Sequence, residues 1–541
     1  MTIVKRALAQ SYSPFILDNI QKNPPILIET LYHMRSLLPS FLLLALLFSG
    51  CNKPTDTSPS LDEDTQAWWE TTTVLSSDEM EGRDTGSPGY ERAAAVVAER
   101  FAAAGLEPLG DNGTWFQDVP MEEVAITQAT ITVGGRELRF LHDITGSPGR
   151  ASEIVEAPII YCGYCDSTSI SLVKDKLVIC HGTRREELPS NSDRIKNMSE
   201  GGALGIIFIA DPGFTIEPPR WPFAYSRSVR LADASPSPPT LPTFSINAGT
   251  DALDKIIEGS GQNAKELIDL GSQGKPLPVF EVPDRLTASF TLASRTLQSP
   301  NIIGLLPGTD PSLANQAIVL TAHLDGYGYG EAVDGDSLYN GTLDDAAYVA
   351  LLIQLAERRA GKGFKRPVIF AIVTGEEKGL LGSRYMVQHL PVPKESIAAN
   401  INLDQLRPLF PLELLTVHAL DETTLGDDAT AVAASMQIKV QNDPEPIRGL
   451  IRRSDQWSFI QAGIPAINFV FGFEPGSESE RIYRQWYREG YHTPKDDLEQ
   501  KIDWAAAAKF NTFFYGLVEK VANGTVAPAW KPDSKLRPVN P

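Results

Sequence analysis

Short apolar runs and longer amphipathic stretches alternate along the second half of the chain. Residues 317–321, 368–374, 399–403 and 466–471 have strand length and are rich in β-branched residues. Helical patterns lie between them, most clearly in residues 346–359. Alternation of this type is typical of a mainly parallel sheet flanked by helices. The pattern therefore predicts an α/β fold with a mixed, mainly parallel sheet.

The first half of the chain has a different pattern. Residues 75–106 look helical in two pieces, which are separated by Gly and Pro at residues 86–89. Residues 141–289 contain short β-like runs and Pro-rich loops, without a cluster of catalytic residue types. We expect this stretch to form a separate, mostly β module of α+β type. Its clearest strand-like runs are residues 157–161, 177–180 and 205–209.

An export signal is predicted at residues 34–50. Arg35 precedes an almost entirely apolar run, residues 41–48, which is too short for a membrane span but fits a signal peptide. The sequence Ser-Gly-Cys that ends at Cys51 resembles a bacterial lipobox, in which the cysteine is lipidated. We therefore expect a lipid anchor in the cell envelope, and Asn52 after the cysteine favours the outer membrane.

Residues 1–33 do not fit a signal of this kind. We expect translation to start at Met34 and the leader to be a mis-assigned gene start, with a genuine long leader as the alternative. Residues 51–65 are polar and rich in Pro, Ser, Thr and Asp, which is typical of a flexible tether.

Composition narrows the class of protein. The chain has 541 residues, of which 42% are hydrophobic and 21% charged, as in a globular protein of more than one domain. Its formal charge of −20 argues against nucleic acid as a partner, because nucleic acid binds basic surfaces.

Besides Cys51, the chain has three cysteines, an odd number for an exported protein. Cys162 and Cys165 have C-x-x-C spacing, and Cys180 follows. A zinc site would need more ligands nearby, so we expect a disulfide or buried thiols. The sequence leaves the pairing open.

Five residues of metal-binding type lie near the ends of strand-like segments or in loops beyond them. Ligands of open α/β sheets bind at the carboxyl ends of the strands, so we expect these residues to converge. Imidazole and carboxylate donors without thiolates suit zinc, manganese or cobalt. The candidate ligands are His323, Asp344, Glu377, Asp404 and His492.

This donor set is large enough for two ions that share one carboxylate. Two metals about 3.5–4 Å apart polarise a carbonyl and lower the pKa of a water. Glu376, directly before Glu377, is then free to accept the proton of that water. Asp325, two residues after His323, could orient the imidazole through its other nitrogen. For Asp344 alone, a helix cap is the alternative role.

Five segments resemble, in order and spacing, the metal-binding motifs of the M28 family of zinc aminopeptidases. The resemblance extends over most of residues 70–520. The segments are residues 321–325 (TAHLD), 340–345 (NGTLDD), 375–383 (GEEKGLLGS), 402–404 (NLD) and 491–496 (YHTPKD).

The resemblance implies a role for each candidate. His323 and Asp404 would bind one zinc ion, Glu377 and His492 a second one, and Asp344 would bridge the two. Glu376 would be the general base. Asp325, Asp345 and Asp496 would contact the ligands rather than the metals, and a cis peptide is expected between Asp344 and Asp345.

The middle stretch resembles a protease-associated (PA) domain through residues 173–178 and 201–205. In relatives this domain is inserted into the peptidase and borders its cleft. The expected organisation is a leader (1–33), a signal peptide (34–50), a tether (51–65), a first peptidase part (66–140), a PA-like insertion (141–289), a second peptidase part (290–525) and a polar tail (526–541).

The expected function is therefore that of a lipid-anchored two-zinc exopeptidase that removes N-terminal residues from peptides. Three alternatives stay open on the same fold: a carboxypeptidase, a glutaminyl cyclase, which generally uses one zinc ion, and an inert binding protein.

Overall fold

The computed structural model describes residues 61–147, 153–211, 221–234, 241–246, 250–404 and 406–539. The predicted leader, the signal peptide, the lipid site at Cys51 and most of the tether lie outside these residues. Within the described ranges, no helix combines the length and apolar character needed to cross a membrane.

The described residues contain eleven α-helices. They are α1 (Glu63–Leu75), α2 (Pro88–Ala103), α3 (Asn191–Glu200), α4 (Thr250–Ile257), α5 (Ala264–Ser272), α6 (Ala347–Arg358), α7 (Leu381–Gln388), α8 (Thr424–Ser435), α9 (Gln456–Gln461), α10 (Glu478–Glu489) and α11 (Trp504–Asn523).

The same ranges contain eighteen strands. They are β1 (Glu107–Pro108), β2 (Phe116–Val133), β3 (Arg136–Glu137), β4 (Thr145–Ser147), β5 (Glu153–Tyr161), β6 (Leu177–His181), β7 (Gly205–Ile209), β8 (Arg227–Leu231), β9 (Thr243–Ile246), β10 (Phe280–Leu306), β11 (Ala317–His323), β12 (Gly328–Val333), β13 (Asp336–Tyr339), β14 (Val368–Val373), β15 (Ile397–Asn402), β16 (Leu414–His418), β17 (Lys439–Gln441) and β18 (Ala466–Phe471).

In the C-terminal half of the chain the sheet has the strand order β17-β16-β18-β15-β11-β14-β10. The four central strands, β18, β15, β11 and β14, are parallel, while β10 and β16 join them antiparallel. Strands β11 and β14 are buried along their whole length, as expected for parallel strands that are covered on both faces. The predicted mixed, mainly parallel α/β fold is confirmed.

Helices cover both faces of this sheet. On one face, α1, α2, α6 and α11 share a large apolar core, in which α6 is buried from Ala347 to Ala356. On the other face, Met386 of α7 packs with Phe459 and Ile460 of α9. The site-bearing strands are therefore held rigidly between two helical layers.

The middle stretch continues the sheet beyond β10, where β5 pairs antiparallel with β10, and it has its own apolar core. Strands β5, β6, β7 and β9 are parallel, with β4 antiparallel to β9 at one edge. A long antiparallel ribbon also connects the two parts of the chain: β2 and β10 pair from Phe116 opposite Ile302 to Val133 opposite Leu286. The expected boundary between residues 289 and 290 lies within β10, so the insertion grows out of continuous strands.

Two sequence expectations change in the N-terminal region. Helix α1 begins at Glu63, inside the predicted tether, because Asp62 caps it by accepting the N–H of Thr65 and because Trp68 is buried. The predicted helical piece from residue 75 is wrong, since Asp78–Arg83 forms 3-10 turns with Glu81 and Gly82 in the left-handed region. The second helix starts at Pro88, a residue suited to a first helical position.

The structure assigns the cysteine pairing that the sequence left open. Cys165 and Cys180 form a disulfide, and Cys162 is a free, buried thiol.

In the predicted polar tail, the indole N–H of Trp530 donates to the carbonyl of Gly463 at 2.9 Å. The described part of the tail is therefore attached to the C-terminal half of the chain.

Candidate metal centre

The register of the parallel strands places the candidate ligands at one edge of the sheet. His323 ends β11 opposite Val373, the last residue of β14, and Thr321 lies opposite Asn402, the last residue of β15. The chain segments that follow β14 and β15 carry Glu376, Glu377 and Asp404. Three separate turns thus deliver their side chains to one point, as expected for the carboxyl ends of parallel strands.

The structure brings all five candidate ligands together with Glu376. Three overlapping groups have donor atoms that lie within 4.8 Å of one another. The groups are His323 with Asp344 and Asp404; Asp344 with Glu377 and His492; and His323 with Glu376 and Glu377.

Asp344 is the member that connects the two histidines. Its Oδ1 lies 3.2 Å from Nε2 of His323, and its Oδ2 lies 3.5 Å from Nε2 of His492. Each carboxylate oxygen therefore faces a different donor group. Asp344 lies in a short π-helical segment, Thr342–Ala346, directly before α6. Its side chain does not cap α6, so the alternative role as a helix cap is not seen. The peptide between Asp344 and Asp345 is cis, as the resemblance implies.

His323 is oriented by a backbone group. Its Nδ1 lies 3.0 Å from the carbonyl oxygen of Asp325, whereas the carboxylate of Asp325 is 3.8 Å away. An N–H at Nδ1 that donates to this carbonyl leaves Nε2 free to bind a metal. Asp325 thus contacts the other nitrogen of this imidazole, as expected, and it does so through its backbone carbonyl.

The carboxylate of Asp325 instead holds the turn that carries the two glutamates. It accepts the backbone N–H of Glu376 at 3.1 Å, that of Glu377 at 3.3 Å and the hydroxyl of Thr85 at 3.0 Å. The side chain is fully buried. Asp325 thus fixes the position of Glu376 and Glu377 relative to β11.

Asp345 and Asp496 support neighbouring backbone groups. The carboxylate of Asp345 accepts the N–H of His323 at 3.2 Å. The carboxylate of Asp496 accepts the N–H of Leu343 at 2.9 Å, and its carbonyl accepts the N–H of Thr342 at 3.0 Å. Both acids contact the segments that carry ligands, as expected for residues behind a metal site.

Sequence reasoning missed two buried arginines. The guanidinium of Arg407 lies 3.2 Å from Oδ2 of Asp344 and donates to the carbonyl of Leu343 at 2.8 Å. The guanidinium of Arg83 donates to four backbone carbonyls, those of Leu75, Leu324, Asn340 and Gly341, at 2.7–2.8 Å. Arg83 thereby joins the loop after β11 to the loop before Asp344.

Two tyrosines were also missed. The hydroxyl of Tyr327 donates to Oε2 of Glu377, and the ring stands edge-on to the ring of His492 at 4.4 Å. The hydroxyl of Tyr225, from the inserted module, lies 3.1 Å from Nδ1 of His492. The sequence signal that marks Tyr327 is its place between two ligand motifs in a tyrosine-rich segment, whereas nothing near Tyr225 marks that residue.

The electrostatics of the site favour cations. Burial raises the pKa of Glu376 well above its ordinary value despite the nearby His323, and it raises the pKa of Glu377 to about 7. Burial likewise raises the pKa of Asp404. For Asp344, Arg407 and the two histidines outweigh burial and hold the pKa well below its usual range.

The donor set therefore fits divalent metal ions. Four carboxylates with buried side chains meet here, and the guanidinium of Arg407 lies against one of them, Asp344, which leaves negative charge that divalent ions would offset. The six converging side chains offer imidazole and carboxylate donors only, which suits zinc and related first-row metals. The ligand assignments themselves belong to the proposal below.

The fold and the donor set together define an α/β protein whose candidate metal ligands lie at the carboxyl ends of its parallel strands. Residues 301–518 match the sequence model of "Peptidase family M28". This segment is thus similar to M28 peptidases, which supports the prediction of a metallopeptidase.

Curated relatives agree with this family match. The chain is 26% identical to "Leupeptin-inactivating enzyme 1" of Streptomyces exfoliatus, over 54% of this chain and 66% of that protein. It is also 26% identical to "probable leucine aminopeptidase 2" of Aspergillus oryzae, over 37% of this chain and 40% of that protein. The chain thus spans less than two thirds of the length of these relatives.

Solved structures show the same fold over most of both chains. An aminopeptidase from Aneurinibacillus sp. strain AM-1 superposes with a TM-score of 0.56 at 20% identity, covering 86% of this chain and 96% of its own. A zinc aminopeptidase from Bacillus subtilis gives a TM-score of 0.56 at 18% identity, with 88% and 98% covered. At these identities the likeness concerns the fold.

Proposed function

We propose that the protein is a two-zinc aminopeptidase that hydrolyses the N-terminal peptide bond of its substrates. The observation that carries this proposal is the pair of donor groups joined by Asp344, with the carboxylate of Glu376 beside both His323 and Glu377. Two similar proteins are named as a zinc metalloprotease and a zinc aminopeptidase, and the donor chemistry also suits zinc.

His323 and Asp404 would hold one ion, Glu377 and His492 the other, and Asp344 both. Bound zinc ions would polarise the scissile carbonyl and acidify the attacking water. Glu376 accepts the proton of that water and returns it to the leaving amine. Asp325 keeps the Glu376 carboxylate in place through the backbone of its turn.

The long segment between the first two ligand motifs forms one wall of the site. Strands β12 and β13 pair as a hairpin, and Tyr327 directly before them donates to Glu377. Beside Glu377 and Lys378 lies a cavity of about 620 Å³, which residues of the inserted module line on its other side. A cavity of this size can accept a peptide side chain or two.

The inserted module and the anchor are part of the proposal. We infer that residues 141–289 act as a PA-like domain beside the cleft, and that lipidated Cys51 holds the enzyme at the cell envelope, where it would meet exported or extracellular peptides. Labelling of cells with a radioactive fatty acid and recovery of label at Cys51, but not in Cys51→Ser, tests the anchor.

A substrate panel tests the activity. Aminoacyl-p-nitroanilides should be hydrolysed, and a chelator should abolish the hydrolysis until zinc is restored. N-blocked peptides with free C-termini should remain intact. Cleavage of the blocked peptides alone would indicate a carboxypeptidase, and conversion of N-terminal glutamine to pyroglutamate without hydrolysis would indicate a cyclase.

A further inference from the structure

A short segment of the inserted module is seated directly on the metal centre. Pro222 forms an isolated β-bridge with Gly330, a residue of β12. The ammonium group of Lys378, directly after Glu377, donates to the carbonyl of Ala224 at 3.1 Å. Ala224 is also buried in a small cluster with Tyr327. The segment of residues 221–226 is thus attached to the catalytic half on either side of Tyr225.

Tyr225, which belongs to this segment, contacts His492, one of the proposed metal ligands. Its hydroxyl lies 3.1 Å from Nδ1 of His492, and its ring stands edge-on to Tyr327 at 5.3 Å. Tyr327 in turn stands edge-on to the imidazole of His492. Both tyrosines therefore contact the imidazole of His492.

His492 depends on such contacts for its orientation. It lies in a loop, and its backbone adopts a φ of +53°, in the left-handed region that few non-glycine residues adopt. Its ring stacks on Tyr491 at 3.6 Å between centroids. Stacking fixes the plane of an imidazole, but it leaves rotation within that plane to hydrogen bonds.

The hydrogen bond to Tyr225 constrains the direction of the His492 ring. Nε2 of His492 points at Asp344 and at Glu377, which lie 3.5 and 3.6 Å away. With Nε2 as the donor atom for a metal, Nδ1 carries the proton and donates it to the phenol oxygen. Metal-binding histidines commonly make such a bond with their second nitrogen, and it sets both tautomer and ring direction.

The two histidines of the centre are therefore oriented by different parts of the chain. The acceptor for His323 is the carbonyl of Asp325, within its own loop, while the acceptor for His492 comes from the insertion. We propose that Tyr225 is a positioning residue for His492, so that the inserted module completes one of the two metal sites. This inference rests on the proposed two-zinc function.

The test is zinc binding by the full-length exported protein carrying Tyr225→Phe, a variant that keeps the ring and removes the hydroxyl. Competition with a chelator should show one of the two ions bound 10–100-fold more weakly, as is typical when such a partner is lost, and the other unchanged. In cobalt-substituted protein, the absorption of one ion alone should shift. The exposed Tyr329→Phe is the matched control and should bind both ions like wild type.

A zinc titration of the wild-type protein distinguishes failure of the proposed function from failure of the Tyr225 assignment. A single bound ion in wild type would overturn the proposed function and this assignment with it. Two ions in wild type, with equal affinities in Tyr225→Phe, would overturn the assignment alone. Equal weakening of both ions in Tyr225→Phe would also overturn it, because the proposed hydrogen bond acts on His492, which is assigned to one ion only.

Discussion

The carboxylate of Asp325 accepts the backbone N–H of Glu376 at 3.1 Å, and it makes this contact from a fully buried position two residues after the end of β11. The turn that carries Glu376 is thereby tied to the strand that carries His323. The proposed base and a proposed ligand are held in one frame, although they come from different strands.

Asp325→Asn tests this relationship. An amide in place of the carboxylate turns an N–H donor toward a backbone N–H or the hydroxyl of Thr85, so the turn should shift. We expect kcat to fall about 10–100-fold with both zinc ions retained, because His323 is oriented by the backbone carbonyl of residue 325. Kinetics and zinc analysis of the same sample measure both quantities. Loss of the zinc ion at His323 from the variant would mean that the carboxylate acts on His323 instead.

Glu376→Gln tests the proposed base. The amide has nearly the same shape but accepts no proton, so kcat should fall by about 10²–10⁴-fold, the usual contribution of a general base. The zinc content should not change, since Glu376 is not assigned as a ligand. The exposed Glu474→Gln is the control and should behave like wild type. Full activity of Glu376→Gln would refute the role.

The ligand set was predictable from the sequence because it follows a topological rule. His323, Glu377 and Asp404 come after apolar strands, and parallel strands end at one edge. The same rule predicts nothing about groups that reach the site from elsewhere. Tyr225 arrives from the insertion and Arg83 from a region mistaken for helix, so only the tertiary fold reveals them. The spacing of Asp325 predicted contact with His323 but could not separate its carbonyl from its carboxylate.

Arg83→Ala should destabilise the catalytic half strongly. The guanidinium is buried and satisfies the carbonyls of Leu75, Leu324, Asn340 and Gly341. Each buried carbonyl left without a donor costs about 1–3 kcal/mol, so we expect a loss of at least 3 kcal/mol. The shift of the urea midpoint, followed by tryptophan fluorescence, measures it.

Arg92→Ala is the matched control for Arg83→Ala. Its ion pair with Glu81 is exposed, with 44% and 40% of the two side chains accessible, and such pairs contribute at most about 1 kcal/mol. Equal midpoints for the two variants would show that the four carbonyl contacts do not stabilise the fold.

Asp344→Asn and Glu377→Gln together test the sharing of one carboxylate by two ions. Oδ1 of Asp344 faces His323 and Oδ2 faces His492, so a loss of its charge weakens both donor groups. Glu377 lies with His492 on one side, so its loss should leave the ion at His323 and Asp404 bound. After dialysis against a weak chelator, we expect close to no zinc in Asp344→Asn and one ion in Glu377→Gln. One tightly bound ion in Asp344→Asn would show that Asp344 serves a single metal, because a shared ligand cannot be lost from one site alone.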